Sequence, residues 1–104
     1  MQQSAQETST RTHQGTCLIV EDSEFDSVKM TRVMEKSRHN LKVEVAATLR
    51  RARAALARGQ TELILLDNNL PDGLGANFAL ELARDAKLSS IPVILVSDWP
   101  SPFM

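Results

Sequence analysis

A chain of 104 residues holds one domain with one core and no more. Its 42% hydrophobic and 24% charged content excludes wholesale disorder, and no apolar run is long enough to cross a bilayer. The 12 Lys and Arg nearly cancel the 13 Asp and Glu to leave a net charge of -1, without the basic excess of a nucleic-acid-binding surface.

Residues 1–16 carry no large apolar side chain after Met1, so they cannot offset their own ordering entropy and read as a disordered polar tail. The tail lacks the apolar centre of a secretory signal, and its His13 reads as solvated. Folded structure is expected over residues 17–104. Cys17 is the lone cysteine, which excludes an internal disulfide and fits a reducing, cytoplasmic setting with the thiol packed as a small hydrophobe.

Cys17-Leu18-Ile19-Val20 is apolar at every position and ends abruptly in Glu21-Asp22-Ser23, the pattern of a strand covered on both faces. Asp22 or Ser23 is placed to cap a helix over about residues 24–37, with Glu24 and Asp26 in its first turn. Phe25, Val28, Met30, Val33 and Met34 spread widely around that helix, which predicts cover from both a sheet and neighbouring helices. His39, in the loop that follows, reads as a surface residue.

Lys42-Val43-Glu44-Val45 alternates polar and apolar, as a half-exposed edge strand does. Thr48 can cap the next helix, which buries Leu49, Ala52 and Leu56 and stops at Gly59. Arg50, Arg51, Arg53 and Arg58 fill its other sides and read as a solvated face, since no aromatic or Gly-rich loop accompanies them.

Leu63-Ile64-Leu65-Leu66 is a second fully apolar run, and it ends in Asp67. The segment from Asn68 through Asn69-Leu70-Pro71-Asp72-Gly73-Leu74 to Gly75 is dense in turn formers and predicts a loop. Phe78, Ala79, Leu82, Ala83 and Ala86 mark the buried stripe of a third helix. Ile91-Pro92-Val93-Ile94-Leu95-Val96 is a third apolar run, with Pro92 tolerable only near a strand start, and it ends at Ser97. The order βαβαβαβ predicts an α/β parallel sheet with helices on both faces.

In such sheets ligands bind beyond the carboxyl ends of the strands. Glu21 and Asp22 close the first strand, Asp67 the third and Ser97 the fourth, so these side chains are expected to converge. Clustered carboxylates repel one another unless a cation sits among them, and hard oxygen donors favour Mg2+ or a similar ion.

Leu18-Ile19-Val20-Glu21-Asp22-Ser23, then Asp67-Asn68-Asn69-Leu70-Pro71-Asp72-Gly73, then Pro92-Val93-Ile94-Leu95-Val96-Ser97 resemble the receiver domains of response regulators. The resemblance implies a flavodoxin-like, doubly wound sheet of order 2-1-3-4. It implies that Asp67 is the phosphoacceptor, that Asp22 binds Mg2+ directly and that Glu21 binds it directly or through water. Asn69 would lend the metal its backbone carbonyl, and Ser97 would hydrogen-bond the phosphoryl group. The implied partner is a histidine kinase or a histidine phosphotransferase in a two-component phosphorelay, with no nucleic acid and no membrane.

Receivers usually continue through a fourth helix, a fifth strand ending in a lysine, and a fifth helix. The sequence stops at Met104 without them, so a receiver cut short at its C-terminus is expected, with an apolar patch left bare. Trp99, Phe103 and Met104 could then join a homodimer or partner interface. The alternative function is a non-switching pseudo-receiver that only binds partners, or an inactive fragment. A haloacid-dehalogenase-like phosphatase fits less well, because its second aspartate two residues on is Asn69 here.

Overall fold

The first apolar run becomes strand β1 (Thr16–Val20), buried at every position and begun one residue earlier than expected. The computed structural model describes residues 15–37 and 40–96. The tail before Gly15 with His13, the loop residue His39, and Ser97, Trp99, Phe103 and Met104 lie outside the described residues.

The other long strands are β2 (Lys42–Ala46), β3 (Thr61–Asp67) and a final strand, β6 (Val93–Val96). All are parallel, in the order β2-β1-β3-β6, which is the expected 2-1-3-4 arrangement of a flavodoxin-like sheet. The central pair runs in register from Cys17↔Leu63 to Val20↔Leu66. Strand β3 is longer than the apolar run that announced it, because polar Thr61 still pairs with Thr16 ahead of an irregularity in the register. The expected half-exposed edge is β2, where Val45 is 45% exposed while Ala46 is buried.

Alternate residues of β1 and β3 point to opposite faces. Leu18, Val20, Ile64 and Leu66 share one core with Leu49, Ala52 and Leu56 of helix α2 (Leu49–Leu56) and Phe78 and Leu82 of helix α3 (Gly75–Ala83). Cys17, Ile19 and Leu65 face the other way, against Met30 and Met34 of helix α1 (Glu24–Lys36). Each such fully buried Leu or Ile contributes roughly 1.5–3 kcal/mol over an exposed one.

Ser23, not Asp22, caps α1: its side chain accepts the Asp26 N–H at 3.3 Å. The helix meets the sheet through one face only. Phe25 is 72% exposed and Val33 67%, so the expected cover from neighbouring helices is not found among the described residues. Helix α3 ends at Ala83, earlier than the spacing predicted, because Asp85 takes the Lys87 and Leu88 N–H groups on its side chain and turns the chain. Ala83 and Ala86 are exposed rather than part of the stripe.

The expected loop after Asp67 contains a small hairpin, β4 (Asn69–Leu70) and β5 (Gly73–Leu74), turned by Pro71 and Asp72. It also caps two helices at a distance. The Asn68 side chain accepts the Ala76 N–H at 3.0 Å, starting α3 where no adjacent side chain does so. The Asp72 carboxylate accepts the N–H groups of Leu49 at 2.8 Å and Arg50 at 3.0 Å, starting α2. Thr48 caps α2 as expected, on the Arg51 N–H at 3.0 Å.

Candidate functional site

Because the strands are parallel, β1 and β3 deliver their terminal acids to one edge of the sheet. The Glu21 N–H still bonds the Ala46 carbonyl at 2.9 Å, so the backbone stays strand-like for one residue past β1. That holds the Glu21 carboxylate beside the end of β3. Glu21 is 5% and Asp67 6% exposed, whereas Asp22, one residue further along the turn, is exposed. Carboxylate oxygens of Glu21, Asp22 and Asp67 all lie within 4.8 Å of one another.

Two of these groups are held by backbone N–H donors. The Ser23 N–H donates to Glu21 Oε2 at 3.1 Å, and the Asn69 N–H donates to Asp67 Oδ2 at 3.2 Å. Burial pushes the Glu21 carboxyl above the usual carboxylate range, the Ser23 bond pulls it back, and the charges of Asp67, Asp26 and Asp22 push it up again. Two full negative charges 4–5 Å apart repel by about 3–4 kcal/mol at an effective dielectric near 20. Such a cluster of hard oxygens fits a hard divalent cation, which relieves that repulsion.

Gly75 is required where α3 leaves the site. A Cβ there would overlap the Asp67 carbonyl oxygen and crowd Asn68, so any larger residue would push the helix away from the end of β3. Its N–H bonds the Asn68 carbonyl at 2.7 Å.

Of the residues expected at the site, Glu21, Asp22 and Asp67 come together, and Asn69 touches Asp67 through its own N–H. Val96 is the register partner of Asp67; Ser97, the next residue, lies outside the described residues. Sequence reasoning missed two residues beside the site. Asn68 and Asp72 read as turn formers, and nothing local announces that Asn68 caps a helix at a residue 8 positions ahead or that Asp72 caps one 22 or 23 positions back. Arg53 also departs from the solvated face expected of it. It makes a two-point pair with Glu81 of α3, at 2.8 and 2.7 Å, with its guanidinium 5.2 Å from the centre of the Phe78 ring.

A parallel sheet of this order with an acidic cluster at its carboxyl edge is the frame of one known class. Residues 17–104 match the family of the response regulator receiver domain, and the chain belongs to that family. It is similar to the protein PilH of Pseudomonas aeruginosa, with 37% identity over 82 residues. That match takes in 77% of this chain and 64% of PilH, so the chain spans just under two thirds of that relative. Among solved structures it is similar to the phosphorylated cyanobacterial phytochrome response regulator RcpA, with a TM-score of 0.74 and 26% identity over 86% of this chain and 69% of that one. The Mn2+-bound form of the response regulator Rcp1 is also similar, with a TM-score of 0.74 and 28% identity over 84% and 68%. No helix among the described residues is long and apolar enough to cross a membrane.

Proposed function

We propose that this chain is a phosphoryl-accepting receiver module of a two-component phosphorelay, phosphorylated on Asp67 in a Mg2+-dependent reaction. The observation that carries this reading is the burial of Asp67 at the end of the central strand β3, with the Glu21 and Asp22 carboxylates within 4.8 Å. Similarity to a phosphorylated response regulator and to a Mn2+-bound one supports both the modification and the metal.

Asp22, Asp67, the Asn69 backbone carbonyl and Glu21, directly or through water, would hold the ion. Bound Mg2+ would neutralise the anionic oxygens of Asp67 and of the arriving phosphoryl group. The ionised Asp67 carboxylate attacks phosphorus in line, and its new O–P bond gives an acyl phosphate. The bond from phosphorus to the donor breaks, and its electron pair leaves with the donor. The Asn69 N–H holds Asp67 Oδ2 and fixes the plane of the carboxylate for that attack. Ser97 is assigned the hydrogen bond to the phosphoryl oxygen.

The phosphoryl donor is assigned as a histidine kinase or a histidine phosphotransferase of the cytoplasm, and the module acts as a signalling phosphoacceptor rather than a turnover enzyme. A second reading, a pseudo-receiver that serves as a protein-interaction module, draws support for its interaction surface from one observation among the described residues. Ile94 and Leu95 of the edge strand β6 are 51% and 49% exposed, on opposite faces of the sheet.

Borohydride reduction after treatment with acetyl phosphate tests the assignment, because it converts an acyl phosphate of aspartate to homoserine. The expected product is a peptide carrying homoserine at position 67. Homoserine at another acid, or none in a folded chain, would overturn the assignment to Asp67.

A further inference from the structure

Asp72 takes, from another element, the two N–H groups at the start of α2 that Thr48 leaves open. Thr48 already caps it, accepting the Arg51 N–H on its side chain and the Ala52 N–H on its carbonyl, both at 3.0 Å. Asp72 adds two bonds from the far side of a hairpin that begins beside the phosphoacceptor. We propose that Asp72 is a positioning residue, whose carboxylate clamps the hairpin after Asp67 to the first turn of α2 and so fixes the Asn69 carbonyl for the metal ion. The inference rests on the Mg2+ site proposed above.

Three contacts bind the hairpin to α2. The Asp72 carboxylate uses one oxygen for Leu49 and the other for Arg50, an arrangement open only to a side chain with two acceptors. Gly73, at φ +154°, lies so close that a Cβ would stand 2.8 Å from Leu49 Cδ1. Leu70 packs on the core that contains Leu49. At its other end the same hairpin is tied to the site, where Asn69 pairs with Leu74 and gives its N–H to Asp67. Asn68 fastens that end to α3. The segment that would present the Asn69 carbonyl is thus pinned at both ends, and Asp72 is the polar pin at the turn, the end away from Asn69. Its charge suits the place, since an anion is favoured at a helix N-terminus and its bonds to N–H groups are charge-assisted.

The experiment compares D72A, D72N and T48A with the unaltered chain, reading Mg2+ affinity by titration calorimetry and α2 by amide exchange at Leu49, Arg50 and Arg51. Thr48→Ala removes a cap from the same helix without touching the hairpin. Losing a residue that orients a metal ligand typically costs about 10–100-fold in affinity, so Asp72→Ala is expected to weaken Mg2+ binding about tenfold. Asp72→Asn, which keeps one acceptor and the fold, is expected to weaken binding less, and Thr48→Ala to leave it unchanged while still loosening α2. Unaltered affinity in folded D72A or D72N would overturn the clamp, as would an equal loss in T48A, which would make Asp72 an ordinary helix cap. An unaltered chain that is folded yet binds no Mg2+ would instead overturn the metal site itself, and the positioning role with it.

Discussion

Glu21 and Asp72 are both acids near the site, yet their environments push them in opposite directions. Backbone N–H donors, first that of Leu49, hold the Asp72 carboxyl below its ordinary value of 3.8. Its contribution to stability is therefore present above that value and is lost as pH falls through the lowered one. Burial raises the Glu21 carboxyl above 4.5, so its ionisation works against the metal-free fold. That penalty is absent below pH 4.5 and sets in as pH rises through the raised value. Thermal unfolding without Mg2+ should show Glu21→Gln stabilising the chain at neutral pH and doing little at pH 4. Asp72→Asn should cost stability at neutral pH, and the cost should fade in acid. Gly75→Ala sets a Cβ against the Asp67 carbonyl oxygen, and an overpacked position of this kind costs typically about 1–3 kcal/mol. A urea midpoint lowered at constant m-value would bear that out, whereas an unchanged midpoint would mean that α3 shifts freely.

At the scale of elements, what was legible in the sequence was what local pattern encodes. The unbroken apolar runs at Leu18 and Leu65 announced buried parallel strands, and the acids that end those runs announced the carboxylate cluster. Thr48 and the Leu49–Ala52–Leu56 stripe announced α2, because the cap directly adjoins the first residue of the stripe. Asp72 and Asn68 stayed hidden because their partners belong to other elements, and a turn former looks the same whether or not its side chain reaches a helix. Arg53 was hidden similarly, since Glu81 lies 28 residues away on α3. Both ends of that pair are about half exposed, at 49% and 48%, so solvent screens it. A double-mutant cycle through Arg53→Ala and Glu81→Ala should give a coupling of roughly 0.2–1 kcal/mol, the range of exposed pairs. A much larger value would mean that the guanidinium also holds Phe78 in place.

Across the whole molecule the apolar residues exceed what the described elements can cover. Phe25 and Val33 on α1 and Ile94 and Leu95 on β6 stand exposed, although their spacing in the sequence read as buried. Pattern alone reports that a side chain is apolar, not that an element arrives to cover it. Apolar surface in contact with water favours association, so sedimentation velocity should show weight-average mass rising with concentration. Ile94→Lys with Leu95→Lys should reduce that rise. An unaltered mass over the same concentrations would leave these faces with no part in self-association.

The central claim is that Asp67 accepts a phosphoryl group with the help of a cation held by its acidic neighbours. Intact mass after incubation with acetyl phosphate, with and without Mg2+ and beside Asp67→Asn, tests it most directly. The account predicts a gain of one phosphoryl group that requires both Mg2+ and Asp67. A gain that persists in Asp67→Asn, or no gain in a folded chain shown to bind Mg2+, would contradict it.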